Sequence, residues 1–224
     1  MNYCRICILP DTRPNLRIDA KGNCNCPAAV CARKVNWEHR RKAWQKLVKE
    51  VKNEKASYDC VIPVSGGKDS TWQVITALHW GLRPLTVTWK SPARNALGEA
   101  NLQNLIRLGV DHMDFSINPE VEKKFAWEAF KKFGSPAIPM HMALHAIPMR
   151  VAVNYQIPLI LWGENSAYEY GGDEDENLKG TQLTPEWFRR YGVTHGTRAE
   201  DWKSPRLTLE ELTPYRFPSS AELR

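Results

Sequence analysis

Between Asp59 and Ser70 the chain reads Asp-Cys-Val-Ile-Pro-Val-Ser-Gly-Gly-Lys-Asp-Ser, and few folds accommodate such a stretch. Its short apolar run with β-branched residues predicts a buried strand that stops at Ser65-Gly66-Gly67. From Asp69 to Trp80 the spacing turns helical, with Trp72, Ile75 (or Thr76) and His79 recurring along one face. The local plan is therefore strand, glycine turn, helix. Two glycines admit backbone conformations closed to other residues and let a ligand come close. The first amides of a helix have no internal partners and carry the positive end of its dipole, so such a turn suits phosphate. Lys68 adds a mobile positive charge, Ser65 and Ser70 add hydroxyl donors, and Asp69 offers a carboxylate for magnesium beside a polyphosphate.

The Gly-x-x-x-x-Gly-Lys-Ser/Thr loop of ordinary nucleotide hydrolases is absent. Ser65 to Ser70 instead resembles the pyrophosphate loop (PP-loop) of the ATP pyrophosphatase superfamily. That resemblance implies cleavage of ATP between its α and β phosphates: a substrate oxygen is adenylated, pyrophosphate leaves, and a nucleophile displaces AMP.

A chain of 224 residues has room for one sizeable α/β domain and a small appendage. It contains no apolar run long enough to cross a membrane, and Met1 to Pro10 lacks the core of a signal peptide, so a cytoplasmic protein is expected. The net charge of +6 suits anionic nucleotides but is too diffuse to argue for nucleic acid.

Cys4, Cys7, Cys24, Cys26 and Cys31 crowd the first 31 residues, while Cys60 stands alone. In a reducing compartment such crowding points to metal rather than disulfides. Residues 1–35 read as a zinc ribbon: a Cys4-x-x-Cys7 knuckle, a hairpin turning at Asp19-Ala20-Lys21-Gly22, and a return to Cys24-Asn25-Cys26. The set Cys4, Cys7, Cys24 and Cys26 is preferred. Because Cys24-x-Cys26 is shorter than a Cys-x-x-Cys knuckle, Cys31 remains an alternative to either of its members. A closed four-thiolate site is structural.

Residues 36–56 read as a linking helix capped by Asn36, with Trp44, Leu47, Val48 and Val51 on its apolar stripe. Residues 57–165 form the main domain. After the glycine turn and its helix come a strand at Pro84–Trp89, a helix at about Leu97–Leu108 and a strand at Asp111–Ser116. Asn118-Pro119 opens a helix that ends at Gly134, with Val121, Phe125, Ala129 and Phe133 inward. A further helix, Pro139 to Tyr155, leads to a strand at Ile157–Trp162, followed by Gly163 and Glu164. This alternation predicts an α/β fold with a doubly wound parallel sheet. The ligand site then lies beyond the carboxyl ends of the strands, at Ser65–Ser70, Trp89–Ser91 and Gly163-Glu164. Glu164 is placed as a second magnesium ligand beside Asp69, or else as a solvated strand end. His141 and His145, four apart on one helical face and without an evident third ligand, read as a packed or substrate-contacting pair. Residues 166–224 are less regular, with a short helix at Pro185–Tyr191, and suit an acceptor- or partner-binding extension.

A closer resemblance rests on several segments: Cys4-x-x-Cys7-x-x-Pro10-Asp11-Thr12-Arg13-Pro14, Val35-Asn36-Trp37, the Ser65–Ser70 loop, Ile157 through Asn165, and Glu169-Tyr170-Gly171-Gly172. Together they resemble the N-acetyl sugar amidotransferases (WbpG-type) of bacterial lipopolysaccharide and O-antigen synthesis. The resemblance implies ATP-dependent conversion of an acetamido group on a nucleotide sugar to an acetamidino group. It also implies ammonia supplied by a separate glutaminase resembling the histidine-biosynthesis pair, and a chain longer than this one. The roles implied are Ser65, Gly66, Gly67 and Ser70 on pyrophosphate, Lys68 on developing phosphate charge, Asp69 with Glu164 on Mg²⁺, and Trp89 and Gly163 beside the nucleotide. Two departures stand out, the short Cys24-x-Cys26 spacing and the lack of a cysteine between Pro136 and His141. Two rival readings are a tRNA thiolase, against which the absence of cysteine after Cys60 weighs, and a non-catalytic nucleotide-binding scaffold.

Overall fold

The computed structural model describes residues 1–12, 16–25, 36–52, 56–164, 187–189, 193–219 and 221–223. The chain divides into two compact units, one of residues 1–44 with 164–183 and one of residues 45–163 with 184–224.

In the first unit the chain is held by short turns. Cys4 N–H donates to the Leu9 carbonyl and Ile8 N–H to the Cys4 carbonyl, closing the knuckle. The hairpin turns where expected: the Asp19 carboxylate accepts from the Lys21 and Asn23 amides at 2.8 and 2.9 Å, and Ile18 bridges Cys24. Gly22 sits in that turn at φ +83°, where an L side chain is strained. Helix α1 runs Trp37–Val51, starting in the first unit and ending in the second, and its Asn36 cap accepts from the His39 amide at 2.9 Å. Val48 and Val51 of its stripe are buried, Trp44 and Leu47 half-buried.

The second unit carries the sheet. Its elements are β1 (Cys60–Pro63), α2 (Lys68–His79), β2 (Pro84–Trp89), α3 (Ala96–Ile106), β3 (Asp111–Phe115), α4 (Pro119–Phe133) and α5 (Ile138–Asn154). Strands β1, β2 and β3 lie in that order, all parallel, with Val61 opposite Leu85 and Val87 opposite Met113. The strand expected at Ile157–Trp162 is reduced to a parallel bridge, Ile160 beside Val61, closed by Val61 N–H to the Leu159 carbonyl and Leu161 N–H to the Val61 carbonyl. It still occupies the free edge of β1. The chain thus builds outward from β1 to β3 and then returns to the other side of β1.

Strand alternation assigns the two faces. Val61, Leu85 and Val87 join one core with Val121, Phe125 and Ala129 of α4 and Met142, Ala143, Ile147 and Val151 of α5. Val74 and Ala77 on α2 and Leu102 and Leu105 on α3, also buried, lie outside that cluster. Helices therefore cover both faces, as a doubly wound sheet requires. Helix α4 follows its sequence signals closely: the Asn118 side chain caps it, Pro119 opens it, and Gly134 ends it at φ +68°.

Helix α2 forms where its spacing predicts, and the stripe of Trp72 and Ile75 turns outward. Trp72 is 68% exposed, Ile75 is 42% exposed, and Ser70, Val74 and Ala77 point inward. No helix among the described residues is long and apolar enough to cross a membrane.

Candidate nucleotide site

The strand order reverses at β1, between β2 on one side and the Ile160 bridge on the other. In open parallel sheets this reversal opens a crevice at the carboxyl ends, because the loops on its two sides diverge. Ser65–Ser70 leaves the sheet there. Gly66 has φ +79°, and a Cβ on it would stand 2.8 Å from the Leu102 backbone nitrogen. Glycine is thus required twice, by the dihedral and by the backbone of α3 pressed against the turn.

The turn is held by its own side chains. Ser65 Oγ accepts from the Gly67 amide at 3.3 Å, and Ser70 Oγ donates to the Gly67 carbonyl at 3.2 Å. Thr71 Oγ1 donates to the same carbonyl at 2.9 Å. No side chain caps the start of α2, where Gly67 takes the N-cap position, so its first amides keep their capacity for an anion. Lys68 Nζ rests on Asp69, 2.6 and 2.8 Å from the two carboxylate oxygens, with both side chains largely exposed. The pair carries a positive and a negative group at the phosphate turn, free to separate when a polyphosphate and a cation compete for them.

Gly163, at the end of the returning segment, lies against α2: a Cβ there would be 3.0 Å from Gln73 Oε1. That oxygen is buried and lacks a hydrogen-bond partner among the described residues. Glu164 is exposed and is the first residue of its segment grouped with the other unit.

A cleft of about 420 Å³ opens after β2 and β3, between Lys90, Ser91 and Asn95 on one side and Ser116, Ile117 and Glu122 on the other. Its floor is tied by charge. Arg94 forks onto Asp114 at 2.7 and 2.6 Å and reaches Glu99 at 3.2 Å. Burial works to raise Asp114, but the Arg94 hydrogen bonds and charge more than offset it and hold the carboxyl below its usual range. Trp89 donates its indole N–H to Glu122 Oε1 at 2.7 Å. Burial pushes the Glu122 carboxyl up, only partly countered by that bond. Trp89 is therefore fixed edge-on toward α4. Glu122 was not singled out in the sequence. Its nearest signal is its place in the first turn of α4, one residue after the core residue Val121.

His141 and His145 prove to be a packed pair. His145 Nδ1 donates to the His141 carbonyl at 2.9 Å, and its ring stacks on Trp162 at 4.9 Å and leans on Phe188 at 4.8 Å. Burial lowers both imidazoles below the usual range. Cys60 is fully buried in β1 with its thiol pushed up to about 12 by burial, so it is no nucleophile.

In the first unit, the sulfurs of Cys4, Cys7 and Cys24 lie within 4.8 Å of one another, with Cys7 and Cys24 3.3 Å apart. Tetrahedral zinc with Zn–S near 2.3 Å sets its sulfurs about 3.8 Å apart, so the three need little adjustment to share an ion. The Ile6 and Cys24 amides point at Cys4 Sγ at 3.4 and 3.2 Å. A hydrogen bond from Cys7, then those of Ile6 and Cys24, outweigh burial and bring the Cys4 thiol down to about 6, which favours the thiolate that a metal needs. Cys26 and Cys31 lie outside the described residues.

No protein-family model matches the chain, and no curated protein does. Among solved structures it is similar to a predicted tRNA methyltransferase subunit from Methanocaldococcus jannaschii, with 16% identity and a TM-score of 0.37. That match covers 59% of this chain and 60% of the other, so the chain spans well under two thirds of that relative. It is also similar to the NMN synthetase of Francisella tularensis, with 17% identity and a TM-score of 0.38 over 82% of this chain and 95% of that one. Likeness at this level transfers no activity. The α/β assignment stands on the strand order and helices described above.

Proposed function

We propose that the chain is an ATP-dependent adenylating enzyme of the N-acetyl sugar amidotransferase kind. The carrying observation is the uncapped Gly66-Gly67 turn at the point where strand order reverses, with Lys68, Asp69 and Ser70 following in one helical turn. The amides of that turn, with Ser65 and Ser70, hold the β and γ phosphates of ATP as they depart together. Lys68 leaves Asp69 to meet the charge developing on the bridging oxygen. Magnesium fits the hard oxygen donors of Asp69, which would hold it against the polyphosphate and neutralise part of its charge. The cleft beside Ser91, Asn95 and Glu122 has the size and mixed polarity to take the nucleoside, and Trp89, next in the chain to its lining residue Lys90, is held by its bond to Glu122.

An amide carbonyl is a poor electrophile because resonance stabilises it. Attack of its oxygen on the α phosphorus forms a C–O–P bond and releases pyrophosphate. Ammonia then adds to the carbon, AMP leaves with the C–O bond, and loss of a proton gives the amidine. The residues serve by position and charge, so no covalent nucleophile is needed. Ammonia comes from a separate glutaminase, and Cys4, Cys7, Cys24 and Cys26 hold a structural zinc.

The test is pyrophosphate release with ATP plus a nucleotide-activated N-acetyl sugar and ammonia, plus tRNA, or with neither. Release dependent on the sugar and ammonia supports the proposal. Release driven by tRNA alone rejects it in favour of a tRNA-modifying enzyme, and ATP binding without release makes the chain a scaffold.

A further inference from the structure

The second unit holds another cavity, about 460 Å³, that shares no lining residue with the cleft beyond β2 and β3. Its apolar lining comes from Met142 of α5 and from Phe188, Tyr215 and Phe217 of the segment that follows the returning bridge. Phe217 is half-buried and stacks on buried Phe188, ring centroids 5.0 Å apart and planes 21° apart. A planar group would meet an aromatic surface there.

The rest of the lining is cationic. Arg150, Arg189, Arg198 and Arg216 face Glu200 and Glu222. Both acids are already engaged. Glu200 accepts from Arg216 Nε at 2.6 Å, and Glu222 accepts from Ser219 Oγ and the Ser219 amide at 2.6 and 2.7 Å. Arg150 commits only its Nε, to the Arg216 carbonyl at 2.8 Å. The terminal nitrogens of Arg150 and Arg216 have no hydrogen-bond partner among the described residues. Two guanidinium forks with free ends beside one aromatic wall match the bidentate demand of phosphate. The positive field is felt within the pocket: after its Ser219 hydrogen bonds, the charges of Arg150 and Arg216 help hold the Glu222 carboxyl below its usual range. Tyr215, 2% exposed, also keeps a buried hydroxyl without a hydrogen-bond partner among the described residues.

We infer that this pocket is a second nucleotide-binding site, taking a nucleoside phosphate with its phosphate on Arg150 and Arg216 and its base against Phe217. No residue of the β1 loop lines this pocket. Two sources share the required chemistry: an adenine nucleotide, and the nucleotide half of a nucleotide sugar.

Equilibrium dialysis of the full chain against AMP, UMP, UDP-N-acetylglucosamine and inorganic phosphate tests the assignment. Nucleoside phosphates bind the parent chain and Lys68→Ala alike, and more tightly than phosphate alone. Arg150→Gln weakens them by about tenfold or more, the scale of one charge-assisted hydrogen bond, and Arg150→Lys recovers part of the loss. Preference for UMP and the UDP-sugar over AMP assigns the pocket to the acceptor; the reverse assigns it to adenine nucleotide. Arg150→Gln binding within about twofold of the parent overturns the inference. If Arg150→Gln fails to fold, hydrogen exchange on the parent decides: nucleotide slows exchange at residues 213–219, and unchanged exchange overturns the site. Binding abolished by Lys68→Ala but untouched by Arg150→Gln places every nucleotide at the β1 loop, which sinks this inference and leaves the proposed function standing. Pocket binding without pyrophosphate release does the opposite.

Discussion

Lys68 and Gly66 differ in what they should do when changed. The Lys68 side chain is 88% exposed and, among the described residues, pairs with Asp69 alone, so Lys68→Ala should leave thermal unfolding unchanged. Pyrophosphate release should nonetheless fall by about 10²–10³, the usual loss when one preorganised charge is removed from a transition state. Equal activity in the variant would remove Lys68 from the chemistry. Gly66→Ala should instead destabilise the fold by about 1–3 kcal/mol in denaturant titration. It combines a left-handed dihedral with a 2.8 Å approach to the Leu102 nitrogen, which is backbone and cannot swing away. A neutral effect would mean that the turn is looser than its packing implies.

At the scale of elements, two anchorings matter most. Asp59, 1% exposed, enters β1 accepting from the Arg83 amide, Nε and Nη2 at 2.8, 3.1 and 2.9 Å. Arg83→Ala would strip the Nε and Nη2 bonds from that buried carboxylate and leave the backbone amide in place, at a cost of about 1.5–3 kcal/mol; Arg83→Lys should recover part of it. An equally stable Arg83→Ala protein would show that other groups satisfy Asp59. Helix α5 carries the second anchoring. His141 and His145 have folded-state pKa values lowered by burial, below the unfolded value near 6.5. Below that value the unfolded chain takes up protons that the fold resists. Stability should therefore fall as pH drops from 7.5 to 5.5, by at most about 1.4 kcal/mol per pH unit per histidine. Replacing His145 with Phe, which keeps the stacking on Trp162, should flatten that slope. The same steepness in the variant would assign the loss to other groups.

These elements also show why parts of the molecule were legible in the sequence. Helix α4 was plain because cap, opening proline and closing glycine all agree with one inward stripe. The β1 loop was plain because its chemistry is local, six residues in a row. What stayed hidden depends on distance along the chain. Trp89 meets Glu122 across 33 residues, and nothing near either residue announces the other. The inward face of α2 stayed hidden because Trp72 dominates its apolar spacing, whereas Ser70, Val74 and Ala77 are the residues it buries. The Arg150–Arg216 pocket joins residues 66 apart, and no periodicity marks it.

For the whole molecule, the first unit offers an independent check. Its described core is small, Cys4, Leu16 and Cys24 with Cys7, Leu9 and Ile18 packed against them, which is too little apolar surface to order a segment by itself. A metal on these thiolates would supply the missing stability. Elemental analysis should find about one zinc per chain, and a chelator should release proteolytic fragments of residues 1–44 while the sheet unit stays folded. A metal-free chain equally resistant to protease would count against the thiolate site.

The central claim concerns the β1 turn, whose amides and Lys68 are set to receive two phosphates leaving as one group. Chromatography of the nucleotide products from a single turnover is the most direct measurement. AMP and pyrophosphate in equal amounts are expected, and ADP with inorganic phosphate would contradict it.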